Sequence, residues 1–180
     1  MNTGQMLMTV LATFLLTTVI LTSNRSLLTN SETLIRAKQD LVSISLATSL
    51  LERAARLDFD TATITSSPTA TSQLGPIGRE SGELMTRDSL FNDVDDYNNL
   101  YDTIIIGANS ATDSVGDVYC LRSNVCYVSE ADPWGNPLAG TSGPTKSWLK
   151  RIEVRIWPRG DAVATDTFYL CQLHGYWKWR

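Results

Sequence analysis

Residues 5–57 contain neither glycine nor proline, and this stretch most constrains what the chain can fold into. It opens with an apolar segment, residues 5–22, and no charged side chain occurs among the first 24 residues. Because no helix-breaking residue interrupts it, the whole stretch is expected to form one helix. Such a helix is roughly 80 Å long at about 1.5 Å per residue. A chain of 180 residues cannot cover a helix of that length, so part of it is expected to pack elsewhere.

Residues 27–57 have the periodicity of an amphipathic helix. Leucine, isoleucine, valine and alanine recur there at steps of three, four and seven residues, which is the spacing of one helix face. Charged side chains fall mostly on the opposite face: Arg36, Asp40, Glu52, Arg53 and Arg56. One stripe is therefore expected to lie on a globular domain, while the other faces solvent or a partner.

Residues 59–180 have the character of a β-rich domain. Short apolar or alternating segments are separated by turn residues, as expected for strands. In the clearest segment, Ile152, Val154 and Ile156 point one way and the charged residues between them point the other way. The sequence predicts an α+β fold, in which a long N-terminal α-helix within residues 1–58 packs on a C-terminal antiparallel β-sheet domain.

A hairpin is predicted around the first two cysteines. Its loop is the tripeptide Arg122-Ser-Asn124, with Asn124 in the left-handed conformation. In that register Cys120 faces Cys126 across the strand pair, within disulfide range. The expected disulfide is therefore Cys120–Cys126, which leaves Cys171 free and buried; Cys126–Cys171 is the alternative.

Composition and motifs argue against several classes of function. The net charge is −4 and the sequence pI is about 4.9, so no basic surface is available to bind nucleic acid. No cysteines have C-x-x-C spacing and His174 is the only histidine, which argues against a zinc site. No nucleophile–base motif, phosphate-binding loop or dinucleotide fingerprint occurs. The chain is therefore not expected to be an enzyme.

An acidic cluster lies within residues 91–100. Asp93, Asp95 and Asp96, followed by Asn98, place several oxygen ligands close together, and such ligands suit Ca²⁺. The EF-hand pattern is absent, however, because it requires a glycine and a closing glutamate at fixed positions. The alternative is a turn whose Asp and Asn side chains cap backbone N–H groups. No cofactor is expected, because the capping turn is the favoured interpretation; Ca²⁺ at these three aspartates is the one candidate.

The apolar N-terminal segment is open to four interpretations. At about 17 residues it approaches the length that spans a bilayer. Against a cleaved signal peptide, the segment has no basic residue before it and no A-x-A site after it. Against a permanent anchor, it has no flanking basic residue other than Arg25. A buried core helix is disfavoured because every face is apolar. The fourth interpretation is a helix that sits in the membrane temporarily and then packs among identical helices, which suits its small polar residues, Thr9, Thr13, Thr17 and Thr18.

Three segments carry a resemblance to a known family: Leu74-Gly-Pro, Gly82-Glu83 and Phe91-Asn-Asp-Val-Asp-Asp-Tyr-Asn98. They are similar to a stretch found in minor pilins of the mannose-sensitive haemagglutinin type and in pilin-like proteins of the Bacteroidota group. The apolar helix, its amphipathic continuation and the β-rich domain likewise resemble the architecture of type IV pilins and pseudopilins. The resemblance extends from the helix to about Leu100.

This resemblance implies a structural subunit of a type IV pilus-like filament outside the cell, with an earlier stage in the inner membrane. Its partners would be copies of itself. The alternatives are a minor pilin or pseudopilin, at a pilus tip or in a secretion system, and a membrane-anchored binding domain. The implied interface residues are Gln5, Met6, Leu7, Val10, Leu11, Phe14, Leu15, Val19 and Ile20.

Two features differ from the usual pilin pattern. If the mature chain begins at Met1, neutral Gln5 stands where pilins carry a glutamate that pairs with a neighbour's terminal amine. If a leader ends at Gly4, that place is taken by Thr9. The proline usual near the middle of the helix is also missing. Assembly is therefore expected to rest on apolar contact, with hydrogen bonds from Gln5 and the threonines.

Overall fold

One long helix opens the protein, as predicted. The computed structural model describes residues 2–80, 90–107, 117–138, 145–159 and 167–177. Helix α1 spans Thr3–Ala54, 52 residues in all, and continues without a break through residues 22–26. Within α1 there is no proline, and no glycine after Gly4, which explains this continuity.

Two compact units divide the chain within α1, at residues 1–41 and 42–180. In the first unit, every described residue up to Lys38 is exposed. In the second unit, the end of α1 contributes its buried side chains: Ser43, Ala47, Leu50, Leu51 and Ala54. This division differs from the predicted boundary between residues 58 and 59, because the last turns of α1 belong to the core of the second unit.

Within the range predicted to be amphipathic, residues 27–57, burial in the single chain is confined to the end of α1. Leu34, Ile35 and Leu41 are 66, 57 and 69% exposed. Buried side chains begin at Ser43 and recur every three or four residues up to Ala54, which is one stripe of a helix. The apolar spacing upstream of residue 42 therefore does not mark buried positions.

Short elements connect α1 to the sheet. Helix α2 spans Thr61–Thr65 and is capped by Asp60. In the described part of the chain, 3₁₀ turns follow at Thr71–Gln73 and at Val94–Tyr97. These elements bring Asp60 and the acidic cluster beside the strands.

Four antiparallel strands form one sheet in the order β1-β2-β3-β4. The strands are β1 Tyr101–Ile106, β2 Asp117–Tyr127, β3 Leu149–Pro158 and β4 Phe168–Gly175. The fold is therefore α+β, as predicted.

One face of the sheet packs against the end of α1. The core joins Leu50 and Leu51 of the helix with Leu121 and Val125 of β2. Strand β3 supplies the side chains predicted to point one way: Ile152, Val154 and Ile156. On the same strand Arg155 is exposed, as strand alternation requires.

The predicted hairpin at residues 122–124 is wrong, because β2 runs straight through them. The backbone of this polar tripeptide finds partners on both sides: Ser123 N–H donates to Leu100 O at 3.0 Å, and Ser123 pairs with Val154 on β3. The Ser123 hydroxyl also donates to Tyr97 O at 2.6 Å. Among described non-glycine residues, positive φ occurs at Asn99, with φ 55, and not at Asn124.

The predicted Cys120–Cys126 disulfide is wrong for the same reason. Both residues lie on β2, and six residues of extended strand separate their Cα atoms by about 20 Å. A disulfide requires about 4.4–6.8 Å. The alternative, Cys126–Cys171, fails because β3 lies between the two residues. All three cysteines are free thiols.

The two faces of the sheet are expected to respond differently to the same small truncation. Ile152 is 1% exposed and Ile105 is 51% exposed. Ile152→Val should lower the free energy of unfolding by about 0.5–1.5 kcal/mol, because it leaves a space in the core. Ile105→Val is the matched control and should change it by less than about 0.5 kcal/mol. Urea unfolding of both variants, followed by tryptophan fluorescence, measures the difference, and equal losses would contradict this assignment of the faces.

Candidate assembly site

The nine predicted interface residues all lie near the start of α1, and all are exposed. Phe14 and Leu15 are 66 and 62% exposed. The predicted set covers only part of the apolar surface, since Met8, Leu16 and Leu21 are also exposed. Contiguous apolar surface of this extent is typical of sites that contact a protein or a membrane.

Threonine hydroxyls within this segment are bonded to the helix itself. Thr13 Oγ1 donates to Val10 O at 2.9 Å, Thr17 Oγ1 to Thr13 O at 2.8 Å and Thr18 Oγ1 to Leu15 O at 2.8 Å. A hydroxyl with an internal partner can enter an apolar environment without losing a hydrogen bond to water. The threonines are thus compatible with burial among lipids or among other helices.

Helix α1 also meets the length and composition of a membrane span. Among the described residues it is the one helix that does so, with a mean hydropathy of 2.0 over its most apolar 18 residues and none of that window buried. Eighteen residues of helix rise about 27 Å, close to the roughly 30 Å thickness of a bilayer core.

The acidic cluster caps backbone N–H groups, as one of the two interpretations predicted. Asp93 Oδ1 accepts from Asp95 N–H at 2.8 Å. Asp96 Oδ2 accepts from Asn92 N–H at 2.8 Å and from Asp93 N–H at 3.2 Å. No group of three or more His, Cys, Asp or Glu side chains in the described part of the chain is arranged to hold a metal.

Asp95 has a different role, because it pairs with a buried lysine. Lys150 is fully buried, and its Nζ lies 2.7 Å from Asp95 Oδ1 and 3.2 Å from Asp60 Oδ2. It also donates to Phe59 O at 2.6 Å. The Phe59 and Tyr127 rings lie 4.3 Å and 5.0 Å from Nζ, in cation–π geometry. One ammonium group thus faces two carboxyl groups inside an aromatic enclosure, which we call the Lys150 cluster (Phe59, Asp60, Asp95, Tyr127 and Lys150).

The two carboxyl groups of the Lys150 cluster differ in proton affinity. Burial raises the pKa of Asp95 to about 7, although the charge of Lys150 opposes this shift. Burial also acts to raise the pKa of Asp60. The hydrogen bond from Gly75 N–H and the charge of Lys150 outweigh it, so that pKa lies below its ordinary value. Gly75 N–H is 2.8 Å from Asp60 Oδ1, and Tyr127 donates its hydroxyl to Oδ2 at 3.1 Å. The opposite directions of these pKa shifts favour the negative charge on Asp60 and the proton on Asp95.

The Lys150 cluster is the feature that sequence reasoning missed. Lysine is rarely fully buried unless it is paired, and its partners at positions 60 and 95 are far away in the sequence. A signal was nevertheless present, because Lys150 shares the alternation of Ile152, Val154 and Ile156 and so falls on the buried face of β3.

Acidification is expected to destabilise the second unit through His174, which stacks on Phe59 with ring centroids 6.0 Å apart. Burial, followed by the charge of Lys150, lowers the pKa of His174 from 6.5. The unfolded chain therefore binds this proton at a higher pH than the folded chain does. His174 contributes stability that is complete above pH about 6.5 and is lost as the pH falls through the folded pKa.

His174→Phe keeps an aromatic ring beside Phe59 but cannot bind a proton. Between about pH 7.5 and about pH 5, the native protein should lose up to about 1.4 kcal/mol per pH unit relative to this variant. Urea unfolding at both pH values measures the loss. An identical pH dependence in the two proteins would show that His174 titrates at its ordinary pKa.

No protein-family model matches the chain, and no curated protein or solved structure matches it either.

Proposed function

We propose that the chain is the structural subunit of a type IV pilus-like extracellular filament, in which residues 5–22 of neighbouring copies pack against one another. The observation that carries the proposal is an uncharged helical segment whose apolar side chains are all exposed. Apolar surface of this kind is covered in a working protein by lipid or by other protein. The same segment of neighbouring copies has the length and the apolar side chains needed to cover this surface.

For a subunit that joins the filament from water, the energetics are adequate for assembly. Burying one exposed leucine, phenylalanine or methionine stabilises a contact by about 1.5–3 kcal/mol. Association opposes this with about 4–15 kcal/mol of lost freedom and ordering, so several such side chains per contact suffice. The hydroxyls of Thr13 and Thr17 already have partners within the helix, so burying them adds little cost.

The same segment supports a membrane stage before assembly. Its length and hydropathy suit a bilayer, where the subunit would wait with its β domain outside. Transfer from lipid to a filament core exchanges one apolar environment for another. The exchange is therefore driven by helix packing and hydrogen bonds rather than by exclusion of water.

Electron microscopy with antibody labelling tests the proposal. Cells that naturally make the protein should carry filaments labelled along their length, and deletion of its gene should remove them. Label confined to filament tips would replace the proposal with a minor subunit. Protein found entirely in the membrane fraction, with unchanged filaments after deletion, would refute it.

A second candidate function is a membrane-anchored binding domain, which is favoured by a cleft on the second unit. The cleft has a volume of about 510 Å³, and its aromatic lining residues are Trp148, Tyr176 and Trp177. Trp177 is 84% exposed, so its ring is available to a ligand. Retention in membranes without any polymer, as the microscopy would reveal, supports this candidate.

A further inference from the structure

The Lys150 cluster brings an amine and a carboxyl group together under conditions that favour a reaction between them. Lys150 Nζ lies 2.7 Å from Asp95 Oδ1, and the two side chains are 0 and 2% exposed. The carboxyl carbon of Asp95 lies one bond beyond this oxygen. Because a carboxyl C–O bond is much shorter than this contact, the nitrogen lies within about 4 Å of the carbon, near the separation of about 3–3.5 Å from which bond formation begins.

We infer that Lys150 and Asp95 condense to form an intramolecular amide (isopeptide) bond between Nζ and the carboxyl carbon, with Asp60 accepting the proton that the lysine must release. The bond is a modification of the chain by its own residues and needs no oxidant, metal or cofactor. It is independent of whether the chain assembles into filaments.

The surroundings of the two carboxyl groups favour Asp95 as the group that is attacked and Asp60 as the proton acceptor. Asp95 keeps its proton up to about neutral pH, because burial raises its pKa to about 7, and a neutral carboxyl group accepts a nucleophile more readily than a carboxylate does. Asp60 is held as a carboxylate by Gly75 N–H at 2.8 Å and by Ala62 N–H at 3.0 Å. It lies 3.2 Å from Lys150 Nζ, which is within reach for proton transfer.

The atoms and charges balance. The Lys150 ammonium gives one proton to the Asp60 carboxylate, which leaves a neutral amine and a neutral acid. The amine nitrogen bonds to the Asp95 carboxyl carbon, and the C–O bond to one oxygen breaks. That oxygen departs as water with two protons: the one that Asp95 carried and one from the attacking nitrogen. The products are an amide, one water molecule and protonated Asp60.

The enclosure makes this condensation favourable where free solution would not. In water, amine and acid exchange a proton and separate as hydrated ions. Here both groups are out of water, and Phe59 and Tyr127 cover the amine. A desolvated ion pair in such a site is costly, and the amide removes both of its charges. Fixed proximity adds an effective concentration on the order of 10⁵ M or more.

The amide would join the 3₁₀ turn Val94–Tyr97, which precedes β1, to strand β3. These segments meet at one end of the core, where Asp60 also links the start of α2 through its cap. A covalent bond there would hold the 3₁₀ turn and β3 together around the Lys150 cluster.

Mass spectrometry of the full-length protein tests the inference. Trypsin cleaves after unmodified lysine and arginine, so an unreacted chain releases peptides 88–122 and 147–150. The amide instead yields one branched peptide, in which residues 88–122 are joined to residues 147–151 and one water molecule is missing from the summed mass. Fragmentation of this peptide should place the bond between Asp95 and Lys150.

Variants identify the reacting groups. Asp95→Ala and Lys150→Met remove a reactant, and Asp60→Asn removes the proton acceptor while keeping a side chain of the same size; each should abolish the branched peptide. Lys146→Met is the matched control, because Lys146 donates to Leu74 O and not to a carboxyl group. It also removes the trypsin site after residue 146, so the branched peptide of this variant should join residues 88–122 to residues 123–151. If the native protein has its full mass, with no water lost, and releases peptide 147–150, the inference is overturned, whatever the variants show.

Discussion

Leu15→Asp is expected to abolish filaments while leaving the sheet folded. Leu15 is 62% exposed in the subunit, so the substitution removes no contact from the core of the second unit. In a filament the aspartate would lie among apolar helices, where a charge costs about 2.5–3.5 kcal/mol on a membrane-insertion scale. Because every subunit carries the charge, the penalty recurs at each addition. Electron microscopy of sheared material counts the filaments, and near-ultraviolet circular dichroism checks the fold.

Asn24→Asp is the matched control, because it places the same charge on α1 just beyond the apolar segment. Asn24 is polar and exposed, so filaments of this variant should persist. The amount of Leu15→Asp protein in the membrane fraction shows whether the loss occurs at insertion or at assembly. Normal filaments from Leu15→Asp would contradict the burial of this segment.

The features that local pattern determines could be predicted from the sequence. Helix α1 follows from a long stretch without glycine or proline, and the faces of β3 follow from the alternation of Ile152, Val154 and Ile156. The capping by Asp93 and Asp96 is equally local, since the hydrogen-bond partners lie within four residues.

The features that distant contacts determine could not be predicted in this way. Arg122-Ser-Asn124 has the composition of a turn, yet it continues β2. Ser123 donates to the backbone oxygens of Tyr97 and Leu100 and lies opposite Val154 on β3. The disulfide prediction failed with the hairpin from which it was derived. Apolar spacing at Leu34 and Leu41 likewise does not show whether another element covers these residues, and both are exposed in the single chain.

The Lys150 cluster shows the same dependence on distant contacts. Each of its members has an ordinary local role in the sequence: Asp60 as a helix cap, Asp95 as part of an acidic turn and Lys150 as a strand residue. Their combination depends on a fold that brings three separate segments to one point. The buried charge is thus a consequence of topology. Its contribution to the free energy of unfolding can be measured directly.

Lys150→Met is expected to lower the free energy of unfolding by about 3–5 kcal/mol, because removing one partner of a buried ion pair leaves the other uncompensated. Methionine fills a similar volume, so lost packing contributes little. Asp60 would lose its ion pair at 3.2 Å and Asp95 its contact at 2.7 Å. Urea unfolding of the full chain in mild detergent, followed by tryptophan fluorescence, measures the loss.

Arg155→Met is the matched control on the same strand. Arg155 is 59% exposed and lies 4.0 Å from Glu153, so its loss should cost less than about 1 kcal/mol. If the Lys150–Asp95 amide has formed, the loss at Lys150 includes the covalent link, and the native protein then lacks the mass of one water molecule. If the native mass is complete, the same loss measures the ion pair alone. Equal, small losses in both variants would show that water reaches Lys150 and screens its charge, which contradicts the dry enclosure that both the ion pair and the amide require.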